Sequence, residues 1–67
     1  MNVLYSIHCP SCNVLQKKLD SKNINYVLMT DRSIMQSKGF KELPMLEVDG
    51  KLYNFREAVD WINNYGA

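Results

Sequence analysis

The two cysteines of this chain are the residues best suited to do chemistry, and they stand together as Cys9-Pro10-Ser11-Cys12. An apolar run of β-favouring residues precedes them, and a stretch with helical spacing follows. At a strand-to-helix junction, unpaired N–H groups and the positive end of the helix favour a thiolate over a thiol. The sequence therefore predicts a dithiol redox site, with Cys9 at the helix cap as nucleophile and Cys12 one turn further as resolving thiol.

A close cysteine pair has two other common uses. A structural disulfide across two residues closes so short a loop that it would stabilise the fold by only about 2 kcal/mol. A zinc or iron–sulfur site usually needs four ligands, whereas Cys9, Cys12 and His8 are the only cysteines and histidine of the chain. The alternatives to redox function are therefore a binding module in which two chains share a metal or iron–sulfur site through Cys9, and a non-catalytic docking domain.

Three neighbours of the pair are expected to tune its chemistry. Pro10 suits the first helical position, where its missing N–H costs nothing, and it restrains the backbone between the cysteines. Ser11 is expected to donate a hydrogen bond toward a Cys9 thiolate. His8 is either a solvated neighbour or, when protonated, a charge that favours the thiolate.

Composition limits the classes of protein to which the chain can belong. Its 67 residues predict one domain, residues 1–67, and 46% apolar with 22% charged residues is typical of a globular protein. The net charge of +1 comes without a basic stripe, which argues against nucleic acid as a partner. No apolar run approaches the roughly 20 residues of a membrane span, and no signal peptide opens the chain. We expect a cytoplasmic monomer without a membrane partner.

The first half of the chain has the pattern strand-helix-strand. Residues 3–7 are apolar and β-favouring, and residues 11–22 have helical spacing. The predicted apolar stripe of this helix is Val14, Leu15 and Leu19. Residues 24–29 then predict a second strand, and two strands joined by a helix imply a right-handed parallel crossover.

The second half predicts a short helix, a hairpin and a last helix. Thr30 or Asp31 can cap a helix over residues 32–37, which Gly39 would end. Asp49-Gly50 between two short alternating runs predicts a tight hairpin, because both central turn positions need positive φ. The capping pattern of Asn54 with Glu57 opens the last helix. Its predicted apolar positions are Phe55, Ala58, Val59, Ile62 and Tyr65.

A Cys-Pro-x-Cys after the first strand, an X-Pro before the third, a hairpin and a closing helix together resemble the glutaredoxin branch of the thioredoxin superfamily, over almost the whole chain. The resemblance implies an α/β thioredoxin fold, β-α-β-α-β-β-α, with a four-stranded mixed sheet in the order 2-1-3-4 and helices on both faces. It also implies a cis Leu43-Pro44 bond facing the cysteines. Pro44 would lie beside Cys9, the Leu43 backbone would pair with substrate, and Phe40 and Met45 would extend an apolar rim.

The chain departs from typical glutaredoxins where those proteins hold glutathione. Ser6-Ile7-His8 stands where many have a lysine, and Glu42-Leu43 replaces the usual Thr-Val before the proline. The Gly-Gly with a nearby Asp is replaced by Tyr53-Asn54-Phe55-Arg56. These departures make the chain similar to the small glutaredoxin-like proteins, including the NrdH redoxins, that are reduced by thioredoxin reductase instead of glutathione, and they leave the subfamily open.

The resemblance implies a thiol–disulfide oxidoreductase, a glutaredoxin-like electron carrier in cell redox homeostasis that reduces protein or small-molecule disulfides. No bound cofactor or metal is expected. The external electron donor would be NADPH through a thioredoxin reductase-like enzyme in preference to glutathione, and ribonucleotide reductase is among the candidate protein substrates.

Overall fold

Seven elements follow one another in the predicted order in the structure, a computed structural model that describes residues 1–7 and 9–65. They are β1 (Asn2–Tyr5), α1 (Pro10–Ser21), β2 (Val27–Met29), α2 (Arg32–Ser37), β3 (Met45–Val48), β4 (Lys51–Tyr53) and α3 (Phe55–Asn63). The strands form one sheet in the order β2-β1-β3-β4. β1 runs parallel to β2 and antiparallel to β3, and β3 runs antiparallel to β4. The predicted mixed sheet and its order are confirmed.

One face of the sheet packs against α1 and α3. Because side chains alternate along a strand, Leu4 of β1 and its neighbour Leu46 of β3 point to this same face, and both are fully buried. The helices add apolar side chains from their inward stripes. The resulting core consists of Leu4, Leu15, Leu19, Ile24, Leu46, Ala58 and Ile62.

The apolar stripe of α1 differs from the prediction in one residue. Cys12, Leu15 and Leu19 are fully buried, whereas Val14 is 43% exposed. Successive helical residues are rotated by about 100°, so Val14 lies to one side of the line that the other three form. Cys12 takes the place of Val14 in the stripe, so the second cysteine is buried in the core.

Both strands of the parallel pair are shorter than predicted. β1 ends at Tyr5 and β2 begins only at Val27. Ile24 instead completes the end of α1: Asn23 adopts φ +55°, and the Ile24 N–H donates to the Leu19 carbonyl at 3.1 Å. Its side chain enters the core, so burial and helix capping override its β propensity.

The other face of the sheet carries α2, and Phe40, just beyond this helix, packs against Tyr5 of β1. Asp31, the second of the two predicted caps, accepts hydrogen bonds from the Ser33 and Ile34 N–H groups. Gly39 ends the helix at φ +75°, and Phe40 N–H donates back to the Met35 carbonyl at 3.3 Å. The predicted short helix and its glycine stop are confirmed.

The hairpin and the last helix also form as predicted. Asp49 and Gly50 adopt φ of +49° and +87°. Asn54 and Glu57 form a reciprocal capping box at the start of α3. Tyr65 lies beyond the helix and is 46% exposed, so it extends the apolar stripe less than predicted.

Helix length bears on membrane insertion. The longest helix, α1, has 12 residues, whereas a transmembrane helix needs about 20 mostly apolar ones. Within residues 1–7 and 9–65, no helix is long and apolar enough to cross a membrane.

Candidate redox site

The start of α1 positions both cysteines. Cys9 is the N-cap, with an extended backbone at φ −74° and ψ 164°, and Pro10 takes the first helical position as predicted. The Cys9 carbonyl accepts the first helical hydrogen bond, from the Asn13 N–H at 3.0 Å. One turn of helix therefore separates the two cysteines and places them on the same side of α1.

The two sulfurs are joined in a disulfide, with 5.0 Å between the Cα atoms. Cys12 is fully buried and Cys9 is half-buried. The structure thus shows an oxidised pair in which one sulfur can be reached from outside and the other lies in the core. This difference in access is what a nucleophilic and a resolving cysteine require.

One hydrogen bond to the outer sulfur is visible. The Cys12 backbone N–H lies 3.1 Å from Cys9 Sγ, so a group at the positive end of the helix points at the sulfur. The sequence predicts that Ser11 also donates toward a Cys9 thiolate. In the disulfide-bonded structure Ser11 is exposed and the hydrogen bond to Cys9 Sγ comes from the Cys12 N–H, so the role of Ser11 stays a prediction. His8, also predicted to tune the pair, lies outside the described residues.

The Leu43-Pro44 peptide bond is cis, as the resemblance implied. Pro44 has a fully buried side chain, and Leu43 is half-buried. Leu43 lines the same groove as Cys9. The structure therefore brings Cys9 and Leu43 to one surface, whereas Pro44 lines a neighbouring groove.

The groove beside Cys9 has a volume of about 380 Å³ and mostly apolar walls. Its apolar side chains are Ile7, Met35, Phe40 and Leu43. Of the predicted rim, Phe40 and Leu43 are present, whereas Met45 is paired within β3 beside Tyr5. The groove also contains residues that sequence analysis missed, namely Ile7, Arg32, Met35, Gln36 and Lys41. The cap and the glycine stop predict that α2 forms, but they do not indicate which of its side chains line a groove.

A small polar cluster fixes the Phe40 wall of this groove. The Phe40 ring packs edge-on against Tyr5, with 4.9 Å between ring centroids. Tyr5 Oη donates to Glu47 Oε1 at 3.2 Å, and Lys38 Nζ lies 3.8 Å from the same oxygen. Lys38 Nζ also lies 5.7 Å from the Tyr5 ring centroid. The segment that leaves α2 is thereby tied to the sheet.

A second groove of about 240 Å³ lies on the other side of Leu43. Its lining consists of Glu42, Leu43, Pro44, Asn54, Phe55 and Arg56. Asn54 is already committed to the capping box, since its Oδ1 accepts from Glu57 N–H at 2.8 Å and its N–H donates to Glu57 Oε1 at 3.1 Å. The Leu43 segment is therefore a ridge with a groove on each side.

Metal-binding groups are not assembled within one chain in the described residues. No three His, Cys, Asp or Glu side chains among them lie close enough to hold an ion.

Comparison with solved structures shows the fold. The glutaredoxin-like protein NrdH-redoxin from Escherichia coli, described as having a thioredoxin-like activity profile, is similar to this chain with a TM-score of 0.75 and 19% identity. The match covers 98% of this chain and 95% of that one. No protein-family model matches the sequence, and neither does any curated protein. The chain has the thioredoxin-like fold of NrdH-redoxin, with the Cys9–Cys12 pair at the start of its first helix.

Proposed function

We propose that this protein is a thiol–disulfide oxidoreductase that reduces protein disulfides through Cys9 and Cys12. The observation that carries the proposal is the unequal access of the two sulfurs. Cys9 is half-buried in the lining of an apolar groove, and Cys12 is fully buried one helical turn away and bonded to it. A substrate disulfide can therefore reach Cys9, and the buried Cys12 sulfur can then attack Cys9 Sγ and release the substrate.

The reduced protein begins the reaction with a Cys9 thiolate. This thiolate attacks one sulfur of the substrate disulfide, forms a Cys9–substrate disulfide, and expels the other substrate sulfur as a thiolate that takes a proton from water. The Cys12 thiol then loses its proton and attacks Cys9 Sγ, which releases the second substrate thiol. Two electrons pass to the substrate, and the Cys9–Cys12 disulfide remains.

The reductant in this proposal is a dithiol enzyme of the thioredoxin reductase class, fed by NADPH. Support comes from the regions where glutathione would be held. Ser6, in the segment where many glutaredoxins have a lysine, is uncharged and fully buried, and Asn54 is committed to capping α3. NrdH-redoxin, which shares the fold, is described as thioredoxin-like in activity. Ribonucleotide reductase and other disulfide proteins are candidate substrates, and the cytoplasm is the proposed location.

The test is NADPH consumption with a model disulfide, supplied in parallel with thioredoxin reductase or with glutathione and glutathione reductase. Turnover with thioredoxin reductase alone supports the proposal, and turnover with glutathione alone would show that the donor assignment is wrong. Cys9→Ser should abolish turnover. Cys12→Ser should instead accumulate a mixed disulfide with the substrate, seen as a mass increase that reducing agent removes. A lack of turnover with either donor would contradict the redox proposal.

The shared-metal alternative is tested on the same preparation. Anaerobically purified wild type and Cys9→Ser are compared for colour and metal content. A coloured dimer that Cys9→Ser converts to a colourless monomer would favour an iron–sulfur module over a dithiol carrier. A colourless protein with two titratable thiols supports the dithiol assignment.

A further inference from the structure

The ridge formed by residues 41–43 offers unpaired backbone groups to a partner. No backbone hydrogen bond involves Lys41, Glu42 or Leu43 within the described part of the chain. Their N–H and C=O groups are therefore free to pair with an extended peptide, in the manner of strand addition. The ridge adjoins Cys9 across one groove and Arg56 across the other.

Charge is distributed unequally between these grooves and the rest of the molecule. Arg32 and Lys41 line the groove beside Cys9, Arg56 lines the second groove, and Glu42 is the one carboxylate described in either lining. These are three of the eight cationic side chains and one of the seven carboxylates, which leaves five and six elsewhere. The grooves thus carry a positive excess on a chain whose remainder is slightly negative.

The three groove cations are available to a partner. Neither Arg32, Lys41 nor Arg56 has an ion-pair partner among residues 1–7 and 9–65. Asp31, next in sequence to Arg32, lines neither groove and accepts hydrogen bonds from the first turn of α2. Lys38, by contrast, is balanced by Glu47.

The apolar walls indicate a peptide as the occupant. Four apolar side chains enclose a groove of about 380 Å³ next to Cys9, which suits a large apolar side chain. Oxidised glutathione carries carboxylates but no such side chain. A protein segment can supply an apolar residue, acidic residues and backbone hydrogen bonds together.

We propose that this surface docks an extended protein segment that carries acidic residues and an apolar residue beside its disulfide. The inference deepens the proposed function and rests on it, since the docked disulfide is the one that Cys9 attacks. Opposite charges near the reacting groups raise the rate of encounter, and salt screens this attraction. The protein therefore selects substrates by the charge that flanks their cysteines.

The experiment measures single-turnover reduction of peptide disulfides by the reduced protein, without a reductase, so that docking of the donor does not contribute. Three peptides share one disulfide, one apolar neighbour and one length, and carry two acidic, two neutral or two basic flanking residues. At about 10 mM ionic strength, the acidic peptide should react roughly fivefold to tenfold faster than the neutral one and the basic peptide more slowly. At about 150 mM salt, where the Debye length falls to about 8 Å, the differences should shrink.

A charge reversal and a matched control locate the effect. Lys41→Glu with Arg56→Glu should remove the preference for the acidic peptide. Lys17→Glu with Lys22→Glu changes the net charge by the same amount, but at residues toward the other end of α1. This variant should largely preserve the preference for the acidic peptide. Far-UV circular dichroism shows that both double variants remain folded, and the neutral-peptide rate of the Lys17→Glu with Lys22→Glu variant shows that the control remains active.

The outcomes separate the docking proposal from the redox proposal. Reduction of all three peptides at equal rates, or an equal loss of preference in both double variants, would overturn the docking proposal alone. Oxidised glutathione reduced as fast as the acidic peptide, with the same dependence on Lys41 and Arg56, would overturn the assignment to a protein segment. Failure to reduce any disulfide would overturn the redox proposal and this one with it.

Discussion

The face of the sheet that carries α1 and α3 is closed, whereas the face that carries α2 is only partly covered. On the closed face, Leu4 and Leu46 are fully buried. On the other face, Tyr5 is 3% exposed beneath the end of α2, but Val27 and Leu52 are 46% and 41% exposed. The closed face therefore holds most of the buried apolar side chains, and the open face leaves room for the groove beside Cys9.

The cysteine pair joins the two faces. Cys12 belongs to the buried stripe of α1, while Cys9 lines the groove formed with α2. The core thus holds the Cys12 sulfur in place, and the less covered side gives access to Cys9, as the proposed roles of resolving thiol and nucleophile require. The comparison leads to four predictions, of which the first three each pair the two faces.

The largest difference should come from truncating one leucine on each face of the hairpin. Leu46 lies on the closed face and is fully buried, whereas Leu52 of the adjacent strand lies on the open face. Leu46→Ala should lower the free energy of unfolding by about 2–5 kcal/mol through lost burial and a cavity. Leu52→Ala should cost under about 1 kcal/mol. Urea denaturation of both variants measures this, and equal losses would contradict the comparison.

Helix caps should show the next largest difference. Asn54→Ala removes the cap of α3, a helix that packs on the core, and should lower the free energy of unfolding by about 1 kcal/mol. Asp31→Ala removes the cap of the six-residue α2 on the open face. We expect it mainly to speed hydrogen exchange of the α2 amides, because this helix can open locally. In each of the two variants, the amides of α3 should exchange more slowly than the amides of α2.

A smaller effect is expected from single hydroxyl deletions. Tyr5→Phe removes the hydrogen bond to Glu47 while leaving the ring against Phe40, and should cost about 1 kcal/mol. Tyr53→Phe is the matched control, since its hydroxyl makes no hydrogen bond in the described residues, and should change stability by less than about 0.5 kcal/mol. Thermal unfolding compares the two. A larger loss in the control would show that the polar cluster does not stabilise the α2 side.

The smallest effect concerns Tyr26, which ties the parallel edge of the sheet to α1. Burial, with a hydrogen bond to Asp20 at 3.0 Å, raises the pKa of Tyr26 above its ordinary value of 10.0. The unfolded chain then loses this proton at lower pH than the folded one, so the contribution to stability is present below pH 10 and is lost as pH rises through the higher folded pKa.

Tyr26→Phe lacks the titrating hydroxyl. Comparison with wild type therefore separates the pH dependence of stability that comes from Tyr26 from that of other groups that titrate in the same range. Wild type should lose slightly more stability than Tyr26→Phe when the pH rises above 10, as measured by thermal unfolding across that range. An identical pH dependence in both proteins would contradict the assignment.

Local chemistry explains which parts of the fold the sequence could predict. The Asp49-Gly50 turn, the Asn54 and Glu57 capping box and the Gly39 stop each depend on a few neighbouring residues, and all three formed as predicted. The sheet order and the cis bond at Leu43-Pro44 came from resemblance to a family, because pairing between distant strands leaves little trace in one sequence.

Longer-range packing explains what the sequence could not predict. Ile24 and Tyr26 favour strands as strongly as Val27 does, yet Ile24 was drawn into the core at the end of α1. Arg32 and Lys41 gave no signal of lining a groove, because that depends on where α2 lies across the sheet. The catalytic roles of Cys9 and Cys12 stay predictions, as do those of Leu43 and Pro44 in docking.

The length of the outer strands has a consequence for behaviour at high concentration. β2 and β4, the two edges of the sheet, have three residues each. An exposed edge is a template on which other chains can build a continued sheet, and aggregation grows with the number of hydrogen bonds that this edge supplies. Edges this short supply few, and Lys51 adds a charge to β4. The protein can therefore leave Val27 and Leu28 exposed at its edge with little risk of forming fibrils.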